Sequence, residues 1–255
     1  MTDRGRSGNP LWIAYETVAM VIGLGSLALI CLGWLPFALL LQPLLPQRWA
    51  QPIGRGFITQ GFRFYLRLLE IFCACRFDLQ ELDRLRDSGP LIVAANHPSL
   101  LDAVMIVSRL PNAVCVMKAS LMDNLLFGAA ARLARYIRND APLEMILNAR
   151  QALHDGARLV IFPEGTRTAN FPLDPCSPSI GLVANRARVP VQTVLIEFST
   201  PYLGKAWPLF RRPALPLYCR ARLGRRFPPP TDYAAFIDEL ETYFRAELGP
   251  KTPST

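Results

Sequence analysis

The sequence predicts a layered α/β domain, a sheet flanked by helices, behind an N-terminal helical segment embedded in a membrane. Three observations carry that prediction. Between Gly89 and Leu248 short apolar runs alternate with runs of helical period, the pattern of strands and helices stacked in layers. Thr17 to Leu35 runs for 19 residues without a charge, long enough to cross a bilayer. Polar, reactive residues stand directly after two of the apolar runs, at Asn96-His97 and at Glu164 to Arg167. Open α/β sheets place their chemistry at such carboxyl ends of strands.

Taking the chain in order, residues 1 to 10 are polar and carry Arg4 and Arg6, and the apolar stretch that follows continues through Pro36 to Leu45. A secretory signal would have a shorter apolar core and a small-residue cleavage site, so the segment is expected to be retained. Pro36 and Pro43 each remove a helical hydrogen bond, which leaves two geometries open: one kinked helix, or a helix that enters the bilayer and turns back. Arg48, Arg55, Arg63 and Arg67 outnumber Arg4 and Arg6. By the positive-inside bias the downstream domain faces the cytoplasm, from the inner (cytoplasmic) membrane. Residues 49 to 75 alternate Phe57, Phe62, Phe64, Tyr65, Leu68, Leu69 and Phe72 with arginines, as a helix lying against headgroups does; a core helix with a solvated basic face gives the same pattern. The organisation expected is a membrane anchor and amphipathic region over 1–76, an α/β domain over 77–249 and a tail over 250–255.

Asp78 to Ser88 is charged and reads as a surface connection, closed by Gly89-Pro90. Strands are expected at 91–95, 113–117, 158–162, 189–198 and 216–223, and helices at 99–110, 120–135, 142–155 and 179–187. Pro228-Pro229-Pro230 is a stiff connector to a last amphipathic helix, 231–248, capped by Thr231 or Asp232, with Phe236, Ile237, Leu240, Tyr243 and Phe244 at three- and four-residue spacing. His154, at a helix end before Gly156, suits a structural cation.

Hydrophobic residues make up 51% of the 255, high for a soluble protein, and the formal charge is +8. That charge suits nucleic acid, anionic lipid or an acidic carrier protein. The basic residues form neither a recognition helix nor an aromatic platform, which argues against nucleic acid. In 216–223, Leu217, Cys219, Ala221 and Leu223 alternate with Arg220 and Arg222, so a strand with one wet, basic face is expected there, facing anionic lipid, an acidic carrier or plain solvent. The six cysteines lack paired CxxC spacing and read as reduced, mostly buried thiols. With only His97 and His154 a multi-His metal cluster is excluded, and the carboxylates do not gather around either histidine.

Asn96-His97-Pro98-Ser99-Leu100-Leu101-Asp102 is the first stretch that carries chemistry. Ser99-x-x-Asp102 ahead of an apolar helix has the form of a capping box, and Ser120-x-x-Asp123 repeats that spacing without a histidine. What differs is His97, whose imidazole can reach back to Asp102. Such a pair fixes the tautomer and stabilises the imidazolium formed when the ring takes a proton. No serine or cysteine is placed as a nucleophile, since the competing Ser99 has its hydroxyl engaged in capping; a hydroxyl of the substrate is the natural proton donor. The second stretch, Phe162-Pro163-Glu164-Gly165-Thr166-Arg167, adds glycine for close backbone approach, a hydroxyl, and an arginine able to grip phosphate.

Together, Asn96-His97-x-x-x-x-Asp102 and, about sixty residues later, Phe162-Pro163-Glu164-Gly165-Thr166-Arg167 resemble the glycerolipid acyltransferase family, in its bacterial lysophosphatidic acid (1-acylglycerol-3-phosphate) acyltransferase branch, over roughly residues 90 to 200. The resemblance implies a layered acyltransferase-type sheet. It implies His97 as general base on the acceptor hydroxyl, Asp102 as its orienting partner, and Asn96, Glu164, Gly165 and Thr166 as further substrate-binding positions. Lys118, Arg138 (in Tyr136-Ile137-Arg138) and Arg167 would hold the acceptor's phosphate, and Val189-Pro190-Val191 would line the site. The acyl donor implied is a thioester of coenzyme A or acyl carrier protein, used as co-substrate, with membrane lipid as the other partner and no metal or other cofactor. One departure concerns the acceptor: many relatives have Phe-Lys-x-Gly after the second motif, whereas Ser177-Pro178-Ser179-Ile180-Gly181 keeps the glycine and lacks the lysine. The alternatives are transfer to an amino-acid-based or polyene lipid, or a non-enzymatic lipid-binding membrane protein; intact His97, Asp102 and Glu164 to Arg167 argue against the last.

Overall fold

The computed structural model describes residues 9–208 and 210–249; Arg4, Arg6 and the expected tail, 250–255, lie outside the described residues. Two long helices come first, α1 (Pro10–Leu44) and α2 (Gln47–Phe72). Asn9 caps α1, its side chain accepting from the Leu11 N–H, and Pro10 fills the first turn, where its missing N–H costs nothing. At 35 residues α1 is about 52 Å long, and it is long and apolar enough to cross a membrane. It runs through Pro36 and Pro43 without turning back. The reversal comes at Leu45-Pro46, where the residue before proline is extended and cannot continue a helix. The two helices then lie antiparallel, with Tyr15 against Phe72, Gly23 against Leu69 and Trp34 stacked on Phe57.

The sheet follows: β1 (Cys75–Asp78), β2 (Leu91–Ala95), β3 (Ala113–Met117), β4 (Ile137–Arg138), β5 (Arg158–Ile161), β6 (Val191–Phe198) and β7 (Leu217–Phe227). Its spatial order is β1-β7-β6-β2-β5-β3-β4. The five strands from β6 to β4 are parallel, and β7 runs antiparallel to β6. The other helices are α3 (Leu101–Arg109), α4 (Ala119–Asp123), α5 (Leu125–Leu133), α6 (Pro142–His154), α7 (Ser179–Ala187) and α8 (Tyr233–Leu248).

Side chains alternate across a strand, and here both faces are covered. Leu91, Val93 and Ala95 of β2 face one core with α2 and α3, while Ile92 and Ala94 face a second with α6, α7 and α8. Burial on both sides is why β2, β3 and β5 read as unbroken apolar runs. Gly181 of α7 belongs to this packing, because a Cβ there would meet the Tyr233 carbonyl at 2.8 Å.

Several expectations are corrected. The single helix over 120–135 is two, because Asn124 takes an extended conformation and its Oδ1 accepts from the Leu126 and Phe127 N–H groups, capping α5. Ser120 lies inside α4 and Asp123 pairs with Arg138, so no second capping box forms. The connection at 78–88 contains a 3-10 helix, Gln80–Leu85, which buries Leu82 and Leu85. β1 spans the expected 76/77 boundary. The basic face of β7 is neutralised: Arg220 pairs with Asp78 and Glu81, Arg222 with Glu247, and Arg225 with Glu239.

Candidate active site

Parallel neighbours end on the same rim of a sheet. β2 and β5 are such neighbours, with Ala94 opposite Ile161, so Asn96-His97 and Phe162 to Arg167 emerge side by side although more than sixty residues separate them. β3 and β4 end on that carboxyl rim too, with Met117 opposite Arg138; Lys118 and Arg138 thereby stand on the same rim as His97. Val189-Pro190-Val191 does not. It precedes β6 at the opposite, amino rim, where the Pro190 carbonyl accepts from the Ile92 N–H.

His97 Nδ1 lies 2.8 Å from Asp102 Oδ2. The same Oδ2 accepts from the Ser99 N–H at 2.7 Å, and Ser99 Oγ accepts from the Leu101 N–H. The cap and the dyad are therefore one device: the carboxylate that starts α3 also holds the imidazole. Ser99 is buried and occupied in this cap, which removes it as a nucleophile. Asp102 is fully buried and its Oδ1 has no partner among the described residues, so the carboxylate is held on one side only. With the proton on Nδ1, Nε2 is the basic atom, and no group of the described protein bonds to it. The ring of Phe162 stacks on the imidazole, centroids 3.9 Å apart and 17° from parallel, fixing its plane. Burial pushes the His97 pKa down to about 4, with the Arg167 charge acting in the same direction, and burial pushes the Asp102 carboxyl up. The lowered His97 pKa keeps the ring neutral, and so able to accept a proton, at physiological pH.

Glu164 ties the two motifs together. Its Oε1 accepts from the His97 N–H at 3.0 Å and from the Thr168 hydroxyl at 2.8 Å, and its Oε2 accepts from the Asp174 N–H at 2.9 Å. The Thr168 N–H returns a bond to the His97 carbonyl at 2.8 Å. Asn96 is spent in a similar way: its Oδ1 accepts from the Ile196 N–H and its Nδ2 donates to the Ile196 carbonyl. It thus supplies to β6 the pairing that β2, ended at Ala95, no longer provides.

The cations fare differently. Arg167 gives Nη1 to the carbonyls of Leu203 and Gly204, keeping Nε and Nη2 free among the described groups. Arg138 is held by Asp123 and Asp140. Lys118 is exposed and its ammonium has no partner among the described residues. Gly165 sits at φ +68, where a side chain is strained, and its N–H closes the turn onto the Phe162 carbonyl. Thr166 is exposed at the tip of that turn.

The loop 199–216, to which sequence reasoning assigned no role in the site, covers one side of it. The Leu203 carbonyl accepts from the Leu100 N–H as well as from Arg167, and Lys205 Nζ reaches Thr166 Oγ1 at 3.3 Å. Glu16 of α1 secures the loop from beneath, accepting from Arg212 and from the Leu215 N–H. A Cβ on Gly204 would lie 3.4 Å from the Pro98 carbonyl, and the Tyr202-Leu203-Gly204-Lys205-Ala206-Trp207 composition, with Tyr202 edge-on to Trp207, is the one sequence signal of a packed loop.

A buried imidazole oriented by a carboxylate, beside cationic turns and next to a helix pair with a long apolar member, has the geometry needed to take a proton from a hydroxyl. Residues 59–197 match the family model described as Acyltransferase, and the chain belongs to that family. It is 28% identical over 150 residues, 54% of this chain and 53% of the relative, to the human 1-acyl-sn-glycerol-3-phosphate acyltransferase beta. Its fold matches the crystal structure of the 1-acyl-sn-glycerophosphate (LPA) acyltransferase PlsC from Thermotoga maritima, with a TM-score of 0.68 at 16% identity, covering 94% of this chain and all of that one. The chain spans about half the length of the curated relatives it matches.

Proposed function

We propose that this protein moves a fatty acyl group from a coenzyme A or acyl-carrier-protein thioester to a hydroxyl of a lysophospholipid, best 1-acylglycerol-3-phosphate, giving phosphatidic acid. The observation that carries the reading is the His97–Asp102 contact at 2.8 Å, which leaves Nε2 as a free base. Nε2 takes the acceptor's proton as its oxygen attacks the thioester carbonyl carbon. The carbon–sulfur bond then breaks, and the departing thiolate receives the proton back from the imidazolium, so the base is regenerated. The N–H groups of Thr166 and Arg167, unpaired within the described protein, are the donors available to the developing oxyanion. Lys118, Lys205 and the free edge of Arg167 hold the acceptor's phosphate. Glu164 and Asn96 act by positioning.

A second acceptor class, amino-acid-based or polyene lipid, is favoured by one observation. Arg138, expected to grip phosphate, is already neutralised by Asp123 and Asp140. In this reading the protein works at the inner membrane with the sheet in the cytoplasm, on the charge bias around α1. The test is purified protein with labelled acyl-CoA and acyl carrier protein against a panel of lyso-acceptors, with products identified by mass spectrometry. His97→Ala loses transfer while keeping its fold; turnover in that variant within tenfold of the parent would overturn the assignment.

A further inference from the structure

A second site lies at the opposite rim of the sheet. Between α2 and the turns that precede β3 and β5 opens a groove of about 470 Å³, lined by Arg48, Arg55, Arg63, Gln51, Thr59 and Asn112 among others. Its single acid is Asp155, which already receives Gln151 and stands beside His154. The lining therefore carries three positive charges against one negative.

Two features mark the groove as incomplete. Arg55 is 7% exposed, and its bonds go to the Ala134 carbonyl, Asn112 Oδ1 and Gln51 Oε1, none of them charged. Arg63 gives Nε to the Ser108 carbonyl and keeps its other donors. Neither these two nor Arg48 has a carboxylate partner among the described residues, whereas Arg67 of the same helix pairs with Glu70. Asp155 is near enough to act on Arg55 through space but makes no contact with it; a buried guanidinium without a carboxylate in contact is unfavourable, and an anion relieves it. Thr59, lining the same groove, is 4% exposed and its Oγ1 has no hydrogen-bond partner among the described residues. Buried hydroxyls are satisfied as a rule, so an acceptor is missing at this point as well.

The surroundings indicate which anion. Arg48, Arg55, Thr59 and Arg63 follow one side of α2, and about 130° further round the helix runs an exposed apolar stripe of Trp49, Phe57, Phe64 and Ile71. A groove of arginines beside an apolar stripe, next to the long apolar helix α1, fits a phosphate that is attached to acyl chains. We propose that this groove is a binding site for the phosphate of an acidic lipid headgroup, separate from the His97 site and independent of acyl transfer. Opposite rims of five-residue strands are about 17 Å apart, so one lipid phosphate cannot serve both sites.

The experiment is titration of the full chain in neutral detergent with dihexanoyl phosphatidylglycerol, dihexanoyl phosphatidylcholine and inorganic phosphate, for the parent and for Arg48→Gln/Thr59→Val. Both substitutions leave the bonds of Arg55 in place, and Thr59→Val preserves shape; unchanged thermal unfolding verifies the fold. The expected result is binding of phosphatidylglycerol at least tenfold tighter than phosphatidylcholine, weakened tenfold or more in the variant, with kcat on the acyl acceptor unchanged. Competition by inorganic phosphate at millimolar concentration would keep the anion site but assign it to free phosphate, overturning the lipid source. Equal binding of the two lipids, or no loss in the variant, would overturn the site.

Discussion

In the proposed reading His97 is the base, and its burial sets the form in which it waits for a proton. Its active form is the neutral ring, and a pKa pushed down to about 4 keeps that form populated at every pH well above 4. The acid limb of kcat/KM should therefore fall below the ordinary histidine value of about 6.5; a profile from pH 4.5 to 8 that loses half its height at or above 6.5 would contradict this. Glu164 is the residue on which sequence and structure diverge most. The motif reads it as a substrate contact, yet three protein donors converge on its two oxygens. An amide has one acceptor oxygen, so Glu164→Gln turns donors toward donors, at a cost of about 1–3 kcal/mol. As His97 is displaced, kcat should drop by about 10- to 100-fold with KM nearly constant. A raised KM at unchanged kcat would instead return Glu164 to the substrate. The sequence identifies these residues as a set, because a His, an Asp and a Glu in apolar surroundings are conspicuous. It cannot tell which of them face inward, since that depends on partners such as the Asp174 N–H, whose place is set by a loop with no pattern of its own.

At the scale of elements, β2, β3 and β5 were legible because burial on both faces leaves continuous apolar runs in the sequence. β4 has two residues, and β1, Cys75-Arg76-Phe77-Asp78, is half polar and directly follows a helix, so neither offers a period to read. Strand order was not legible at all: that β5 inserts between β2 and β3 is a property of the sheet, and it is what joins the two motifs. The break between α4 and α5 could have been read from Asn124, whose cap outweighs the apolar periodicity of 120–135. Ending α4 at Asp123 brings that carboxylate to Arg138. Asn124→Ala should lower stability by about 1 kcal/mol, read as a shift in the chemical-denaturation midpoint. A neutral or stabilising effect would mean that α4 and α5 behave as one helix.

At the scale of the whole molecule, the apolar surface has a direction. α1 buries only Ala19, Met20, Gly23 and Ala38 and leaves Val18, Val21, Leu29, Leu32, Phe37 and Leu40 exposed, while α2 adds its stripe of Trp49, Phe57, Phe64 and Ile71. The small residues of α1, with Gly54 of α2 seated against the backbone at Leu133-Ala134, let α1, α2 and α5 pack closely, so the apolar surface is rigidly joined to the sheet that carries His97. In the proposed reading, membrane contact and catalysis on a bilayer substrate are then coupled by geometry. Trp49→Asn, Phe64→Asn and Ile71→Asn together remove side chains that are more than half exposed, and so spare the core. Each large apolar side chain contributes about 1.5–3 kcal/mol when fully buried, and partial insertion of three still amounts to tenfold or more in partitioning. The triple variant should bind vesicles at least tenfold more weakly and lose activity on an acceptor embedded in them. Its rate on a short-chain, water-soluble acceptor should stay within twofold of the parent, because nothing at the carboxyl rim has changed. Equal losses on both acceptors would show that the stripe supports the fold of the site rather than its approach to the membrane.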